Sequence, residues 1–313
     1  MENRRSFLKK AGAASLLTMI PAVDLLAGQN QEIKKVTILH TNDQHSRIEP
    51  FEISTNERLS NKGGFARRAN LLQSIRQQEK NVLLLDAGDA FQGTPYFNMF
   101  GGELEFKLMS KLGYDVMTLG NHEFDNGLEG LKKQFPHKNF PIVNANYDFT
   151  NTIMDGLVKP YEIFWRDGIK IGVFGLGVHL KGLVGDNAFG ETKFLNPIEI
   201  AQDYSRILNE DEKCDLVICL SHLGYEYSDP ETPSDILLAR KTSGINLIIG
   251  GHTHTFLEKP ESLLNKDGKM VLVNQVGYAG LFLGRIDFYF QYGKVVQTKS
   301  FALNDYAVDE TWA

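Results

Sequence analysis

Residues 36–45 read VTILHTNDQH. The run Val36–His40 has the β-branched and apolar character of a buried strand, and the TNDQH that follows sets Asp43 and His45 just past its end. Open α/β sheets build their sites at such strand ends, because the loops converge there. The same pairing recurs along the chain. Val82–Leu85 runs into DAGDAFQGTP with Asp89, and Val116–Leu119 into GNHEFDNG with Asn121 and His122. Leu216–Leu220 runs into SHLG with His222, and Ile245–Ile249 into GGHTH with His252 and His254.

Between these strands lie helical patterns. Gly64–Gln78 places Phe65, Ala69, Leu72 and Ile75 on one face, and Glu103–Leu112 and Ile198–Leu208 also read as helices. Tyr161–Trp165 and Ile169–Leu176 flank Asp167-Gly168, a two-residue hairpin signal. Met270 to Phe301 reads as strands separated by Gly-containing turns. Parallel-type βα units followed by hairpins predict an α/β protein of mixed sheets covered by helices. No linker divides residues 36–313, so they are read as one catalytic domain.

Taken singly, each strand-end residue has a dull explanation. A His there is most often a satisfied structural residue, and an Asp beside Gly caps a turn. Five strand ends carrying such residues together point instead to a metal site. Mixed carboxylate, imidazole and amide donors suit Zn, Mn or Fe, and no thiolate selects among them. Metal ions there would supply the local positive charge that a small anionic substrate needs. His122 adjoins Asn121, and neighbouring loop side chains point apart, so the two do not readily share one metal.

The remaining composition narrows the classes. The 313 residues carry a net charge of -6, which argues against a broad electrostatic grip on polymeric nucleic acid. The only cysteines, Cys214 and Cys219, sit five apart in a strand-like run, roughly 16 Å when extended, too far for a disulfide. They are read as packing residues. Residues 1–28 begin NRRSFLKK from Asn3 and continue apolar to Gly28, the pattern of a secretory signal. Arg4-Arg5 resembles the twin-arginine type, which implies a periplasmic or otherwise exported protein. Pro21 and Asp24 spoil the segment as a membrane span, and no other run is long enough to be one. Residues 29–35 are a polar linker.

The segments ILHTNDQH, LLLDAGDAFQGTPYF, TLGNHEFDNG, SHLG and GGHTH, in that order, resemble the calcineurin-like metallophosphoesterases, most closely their 5'-nucleotidase branch. The resemblance implies a four-layer α/β/β/α sandwich with two mixed sheets. It implies that Asp43, His45, Asp89 and His254 hold one metal, and that Asp89 bridges to a second completed by Asn121, His222 and His252. It makes His122 the catalytic residue, with Asp125 as its carboxylate partner, and Asn121 and His122 the contacts to substrate. The implied reaction is 5'-nucleotidase-like hydrolysis of a small phosphomonoester by a hydroxide shared between the two metals. Two divalent ions with Asp43 and Asp89 would leave about +2, matched to a phosphomonoester dianion.

Other positions carry less. His40 and Asp86 are expected to support the ligands, and Asn144 and Asn146 to shape the pocket. Glu123 has no assigned chemistry. Family members of the 5'-nucleotidase branch continue into a second domain that stacks the nucleoside, whereas this sequence stops at Ala313. Phe91, Tyr96 and Phe97 are therefore candidates for a substitute pocket, against a core role. The alternatives kept are a 2',3'-cyclic phosphodiesterase, a sugar-nucleotide hydrolase, a thiosulfohydrolase-like enzyme, a metal-binding subunit, and the catalytic subunit of a split nucleotidase that needs a partner chain.

Overall fold

The strand that opens on Lys34 spans Lys34–Thr41 (β1), and its apolar residues alternate between two different neighbours. Ile38 packs with Leu83, Leu85, Ile171 and Ile218, while Leu39 packs with Leu72, Leu84 and Phe106. Both faces are covered, which is why the run is apolar throughout rather than alternating. The computed structural model describes residues 32–304 apart from 54, 55, 57 and 58. The signal segment 1–28 lies outside the described residues. β1 claims Lys34 and Lys35, the last two residues of the expected linker.

β1 sits in a six-stranded sheet with β2 (Val82–Asp86), β3 (Val116–Thr118), β4 (Ile142–Val143), β13 (Phe282–Gln291) and β14 (Lys294–Asn304). Strands β1 to β4 are parallel, and β13 and β14 add an antiparallel ribbon on the other side of β1. A short β5 (Tyr147–Asp148) pairs separately with β8 (Lys193–Phe194). The second large sheet holds β6 (Tyr161–Arg166), β7 (Ile169–Gly177), β9 (Leu216–His222), β10 (Leu247–Gly250), β11 (Glu261–Leu264) and β12 (Met270–Asn274). Its inner strands β7, β9, β10 and β12 are parallel, and β6 and β11 edge it antiparallel.

The two sheets face each other through one apolar cluster that includes Ile38, Leu85, Val173, Ile218, Ile249 and Phe288. Helices α1 (Phe65–Gln78) and α3 (Glu103–Leu112) cover the outside of the first sheet, with Leu72, Phe106 and Met109 against it. Helices α5 (Pro197–Arg206) and α6 (Asp235–Lys241) cover the second, where Ala201 and Leu238 meet Val217 and Ile248. Two short helices, α2 (Pro95–Phe100) and α4 (Gly127–Gln134), fill loops of the first half. The expected four-layer α/β/β/α order is what the chain adopts.

Local chemistry sets most boundaries. The Asn196 side chain accepts from the amides of Ile198 and Glu199 at 3.0 and 3.5 Å, and Pro197 opens α5, a standard helix start. The regular helix stops at Arg206 and widens over Ile207–Asp211, so the expected end at Leu208 falls inside an irregular turn. Asp167 and Gly168 take φ of 52° and 74°, the two left-handed residues that a tight hairpin between β6 and β7 requires. β10 starts at Leu247 rather than Ile245, because the Asn246 side chain instead accepts the Val217 amide at 2.8 Å. Among the described residues, no helix is long and apolar enough to cross a membrane. Cys214 and Cys219 are both free, and burial pushes each thiol up, that of Cys214 to about 11.

Candidate metal centre

The ends of β1, β2, β3, β9 and β10 bring all seven candidate ligands together. Five of them, Asp43, His45, Asp89, His252 and His254, have left-handed backbones, with φ of 49°, 48°, 56°, 75° and 53°. Such conformations cost ~1–3 kcal/mol each and persist only where the surroundings impose them; Asp and His tolerate them better than most residues. The loops impose them on one another. The amides of Asp43, His45 and Ser46 donate to the carbonyls of Gly88, Asp89 and Ala90 at 2.9–3.0 Å, and the Ala279 amide donates to the Asp43 carbonyl at 2.7 Å. The fit is tight at Gly120, where a Cβ would lie 2.2 Å from Asp89 Oδ1.

The donor atoms fall into overlapping groups whose members lie within 4.8 Å of one another: Asp43, His45 and His254; Asp89, His222 and His252; and His45, Asp89 and His122. Asn121 joins the second through its Oδ1, 2.9 Å from His252 Nδ1. His45 Nε2 and His254 Nε2 are 2.9 Å apart.

The His222 ring tests whether a cation fits. Its Nδ1 lies 2.7 Å from the Ala87 carbonyl, which can only accept, so Nδ1 carries the hydrogen. In the neutral ring Nε2 then presents a lone pair to the Asp89 carboxylate, 3.0 Å away. Acceptor facing acceptor in a buried site is repulsive unless a positive charge sits between them. Without a metal the charge must be a second proton. Burial works against it, but the Asp89 and Asp43 carboxylates outweigh burial and push His222 up to about 10. The donor set therefore fits a divalent ion. Burial lowers His45 and His252 to about 4 and also lowers His254, which keeps these rings neutral, the form that binds metal. Burial raises Asp43 to about 8, whereas His222 overcomes burial to hold Asp89 well below the usual carboxylate range.

His122 stands beside this cluster. Its Nδ1 is 2.8 Å from Asp125 Oδ2, and its backbone amide donates to Asp89 Oδ1 at 2.8 Å. Burial lowers the His122 imidazolium, but the Asp125 hydrogen bond and the Asp89 charge prevail, so the net shift is upward. A cavity of about 460 Å³ opens over the group, lined by His45, Asp89, Asn121, His122, His252 and His254 together with Arg47 and Tyr278.

The supporting candidates separate into distinct roles. Asp86 does not join the donor groups; its oxygens accept from Thr41 Oγ1 at 2.6 Å, Gln44 Nε2 at 2.8 Å and the Gly88 amide at 3.0 Å, and so tie the first two loops. His40 is fully buried between the sheets, with Nε2 3.0 Å from Asn274 Nδ2. Asn144 and Asn146 shape strand ends instead of the pocket: Asn144 Oδ1 accepts the Tyr147 amide at 2.9 Å, and Asn146 exchanges hydrogen bonds with the Gly177 backbone at 2.7 and 2.9 Å. Phe91 and Phe97 belong to the core, 5.7 Å apart and packed with Phe106, and Tyr96 does not line the cavity.

Sequence reasoning left Glu123 without a role, yet its carboxylate organises the site. It accepts the backbone amides of Gly120, Asp89, Ala90 and Phe91 at 2.7, 3.0, 2.8 and 3.3 Å. The signal available was an acidic residue inside the Gly-bounded loop GNHEFDNG. Arg47, whose guanidinium lies 4.1 Å over the Phe51 ring, and Tyr278 were not singled out either.

Residues 36–256 match the calcineurin-like phosphoesterase family. The chain is 33% identical over 308 residues to the trifunctional nucleotide phosphoesterase protein YfkN of Bacillus subtilis, covering 88% of this chain and 19% of that one. It is 34% identical over 315 residues to a 5'-nucleotidase of Vibrio cholerae, covering 92% and 55%. A crystal structure of a 5'-nucleotidase precursor from Thermus thermophilus superposes with a TM-score of 0.77 at 34% identity, covering 87% and 54%. The chain thus spans about half the length, or less, of these relatives.

Proposed function

The chain belongs to the calcineurin-like phosphoesterases, a family of metal-dependent phosphate-ester hydrolases, and on that premise we propose that it hydrolyses 5'-nucleotides or closely related phosphomonoesters at a two-metal site. The observation that carries the two-metal reading is the donor arrangement: Asp43, His45 and His254 form one group, Asp89, His222 and His252 form another, and Asp89 also groups with His45. Asp43, His45, Asp89 and His254 would hold one divalent ion, and Asp89, Asn121, His222 and His252 the other. Zn, Mn or Fe ions bound there would activate a water near neutral pH and would offset charge on the phosphoryl oxygens.

The chain's own residues then divide the remaining work. Asn121 lines the cavity, and its amide nitrogen is available to a phosphoryl oxygen while Oδ1 faces His252. Asp125 fixes the His122 ring through Nδ1 and favours its protonated form. His122 Nε2 gives its proton to the ester oxygen as the P–O bond breaks, so the alcohol leaves neutral.

A metal-reconstituted screen of nucleoside monophosphates, cyclic nucleotides, sugar nucleotides and an aryl phosphate tests this reading. Hydrolysis of the monophosphates, abolished by a chelator and restored by metal, is expected. A fully metal-loaded chain inactive on every ester would overturn it. Export through a twin-arginine route is part of the same proposal. It rests on Arg4-Arg5 and the apolar run that follows.

A further inference from the structure

The metal cavity does not end at Tyr278. Past it opens a second hollow of about 660 Å³ that shares His254 and Tyr278 with the first and continues over Phe256, Leu281, Phe282 and Leu59. Four rings, those of His254, Tyr278, Phe256 and Phe282, face it among its lining residues. The Tyr278 ring lies parallel to His254, 5.1 Å away with 11° between planes. Phe256 and Phe282 stack at 4.2 Å and 29°, and Phe256 is 45% exposed despite this partner. The backbone beneath is fixed: the Leu257 amide donates to the Gln275 carbonyl and the Gly277 amide to the Thr255 carbonyl, each at 2.9 Å. Among the described residues no carboxylate lines the hollow, and Lys62 stands on its wall.

An exposed aromatic surface of this kind, running from a phosphate-ester centre, suits a planar ring tethered to an anion. We infer that this groove is the leaving-group subsite, taking the base of a nucleoside monophosphate by stacking. The inference rests on the phosphomonoesterase reading above and adds what this domain itself holds. Stacking serves every base, because every base has a π-face, so the groove favours nucleotides over bare sugar phosphates while distinguishing poorly among bases.

The test compares kcat/KM of the full, metal-loaded chain for adenosine 5'-monophosphate and ribose 5-phosphate. Both release the same kind of primary alcohol and differ at C1 of the ribose, where one carries the base and the other a hydroxyl. The nucleotide should be preferred about 10-fold or more, the usual scale of one stacked base. Adenosine, guanosine, cytidine and uridine monophosphates should agree within about tenfold. Phe256→Ala and Phe282→Ala should each bring the first ratio towards one, and Phe256→Tyr should keep it. Adenosine should inhibit competitively, with Ki rising in Phe256→Ala by the same factor. A ratio near one in the wild type, or unchanged in both alanine variants, overturns the groove while the phosphoesterase reading stands. So does an equal fall for both substrates, which marks a packing role, or selectivity that appears only when a second protein is added. Hydrolysis of neither substrate overturns the groove, and inactivity on every other ester as well overturns the phosphoesterase reading with it.

Discussion

The Asp89 amide donates to the Glu123 carboxylate at 3.0 Å while the Asp89 side chain accepts the His122 amide at 2.8 Å, so the carboxylate that belongs to two donor groups is clamped from both ends by the loop carrying His122. Burial, then the Asp89 charge, pushes the Glu123 carboxyl up to about 7, and four N–H donors hold it in place. Glu123→Gln puts an NH₂ where amides point. It should weaken metal affinity by ~10–100-fold, the scale for losing a partner that orients ligands. Metal titration followed by calorimetry measures this, and unchanged affinity would refute the clamp.

Asp89→Asn should lower turnover further than replacement of any residue that serves one ion, and should reduce bound metal at both positions. Metal analysis by mass spectrometry beside kcat reads the outcome. Two retained ions with near-normal turnover would rule out a shared ligand.

His122→Ala should keep both metals and lose ~10²–10⁴ in turnover, the contribution of general acid–base catalysis. The defect should shrink for 4-nitrophenyl phosphate, whose leaving group departs without a proton. Metal lost in step with activity would make His122 a ligand, a role its place beside His45 and Asp89 leaves open to measurement.

Replacing Arg4 and Arg5 by Lys should leave folded, active enzyme in the cytoplasm, seen by fractionation and activity staining. Undiminished export of that variant would assign a different route.

Away from the site, Arg285 grips Asp287 through Nε and Nη2 at 3.0 and 2.9 Å, and Thr37 donates to the same carboxylate at 2.8 Å. Burial raises the Asp287 carboxyl, but these partners outweigh it and lower it below its ordinary 3.8. A depressed folded value means stability that is full above the unfolded value and lost as pH falls through the folded one. Asp287→Asn should therefore cost ~1–3 kcal/mol in urea melts at pH 7 and progressively less as pH drops below 3.8. A pH-independent difference would deny the ion pair its part.

Much of this was legible in the sequence for a physical reason. A strand covered on both faces must be apolar throughout, so Val82–Leu85 and Leu216–Leu220 announce themselves and the polar residue after each is conspicuous. Glu103–Leu112 was read to the residue because Gly102 and Gly113 punctuate it, both left-handed in the fold. Helices α2, α4 and α6 have six, eight and seven residues, too few to establish a period. Phe91 and Phe97 turned inward, a choice that packing makes and composition does not record. Glu123 works through backbone amides, which leave no trace in side-chain patterns. Phe256, Tyr278 and Phe282 meet Leu59 across roughly two hundred residues of chain, so their groove exists only in the folded molecule.

The left-handed backbone at Asp43, His45, Asp89, His252 and His254 also constrains how this centre can drift. A randomised library at those five positions is screened first for φ and only then for chemistry. Alanine, valine and leucine members are disfavoured as backbones before their missing donor matters, whereas Gly, Asn, Asp and His members keep the loop. Interchange between carboxylate, amide and imidazole is thus the accessible mutational neighbourhood, and it is the set from which a change of metal preference would be drawn. Evolving this site towards another ion is a walk among residues its turns already accept.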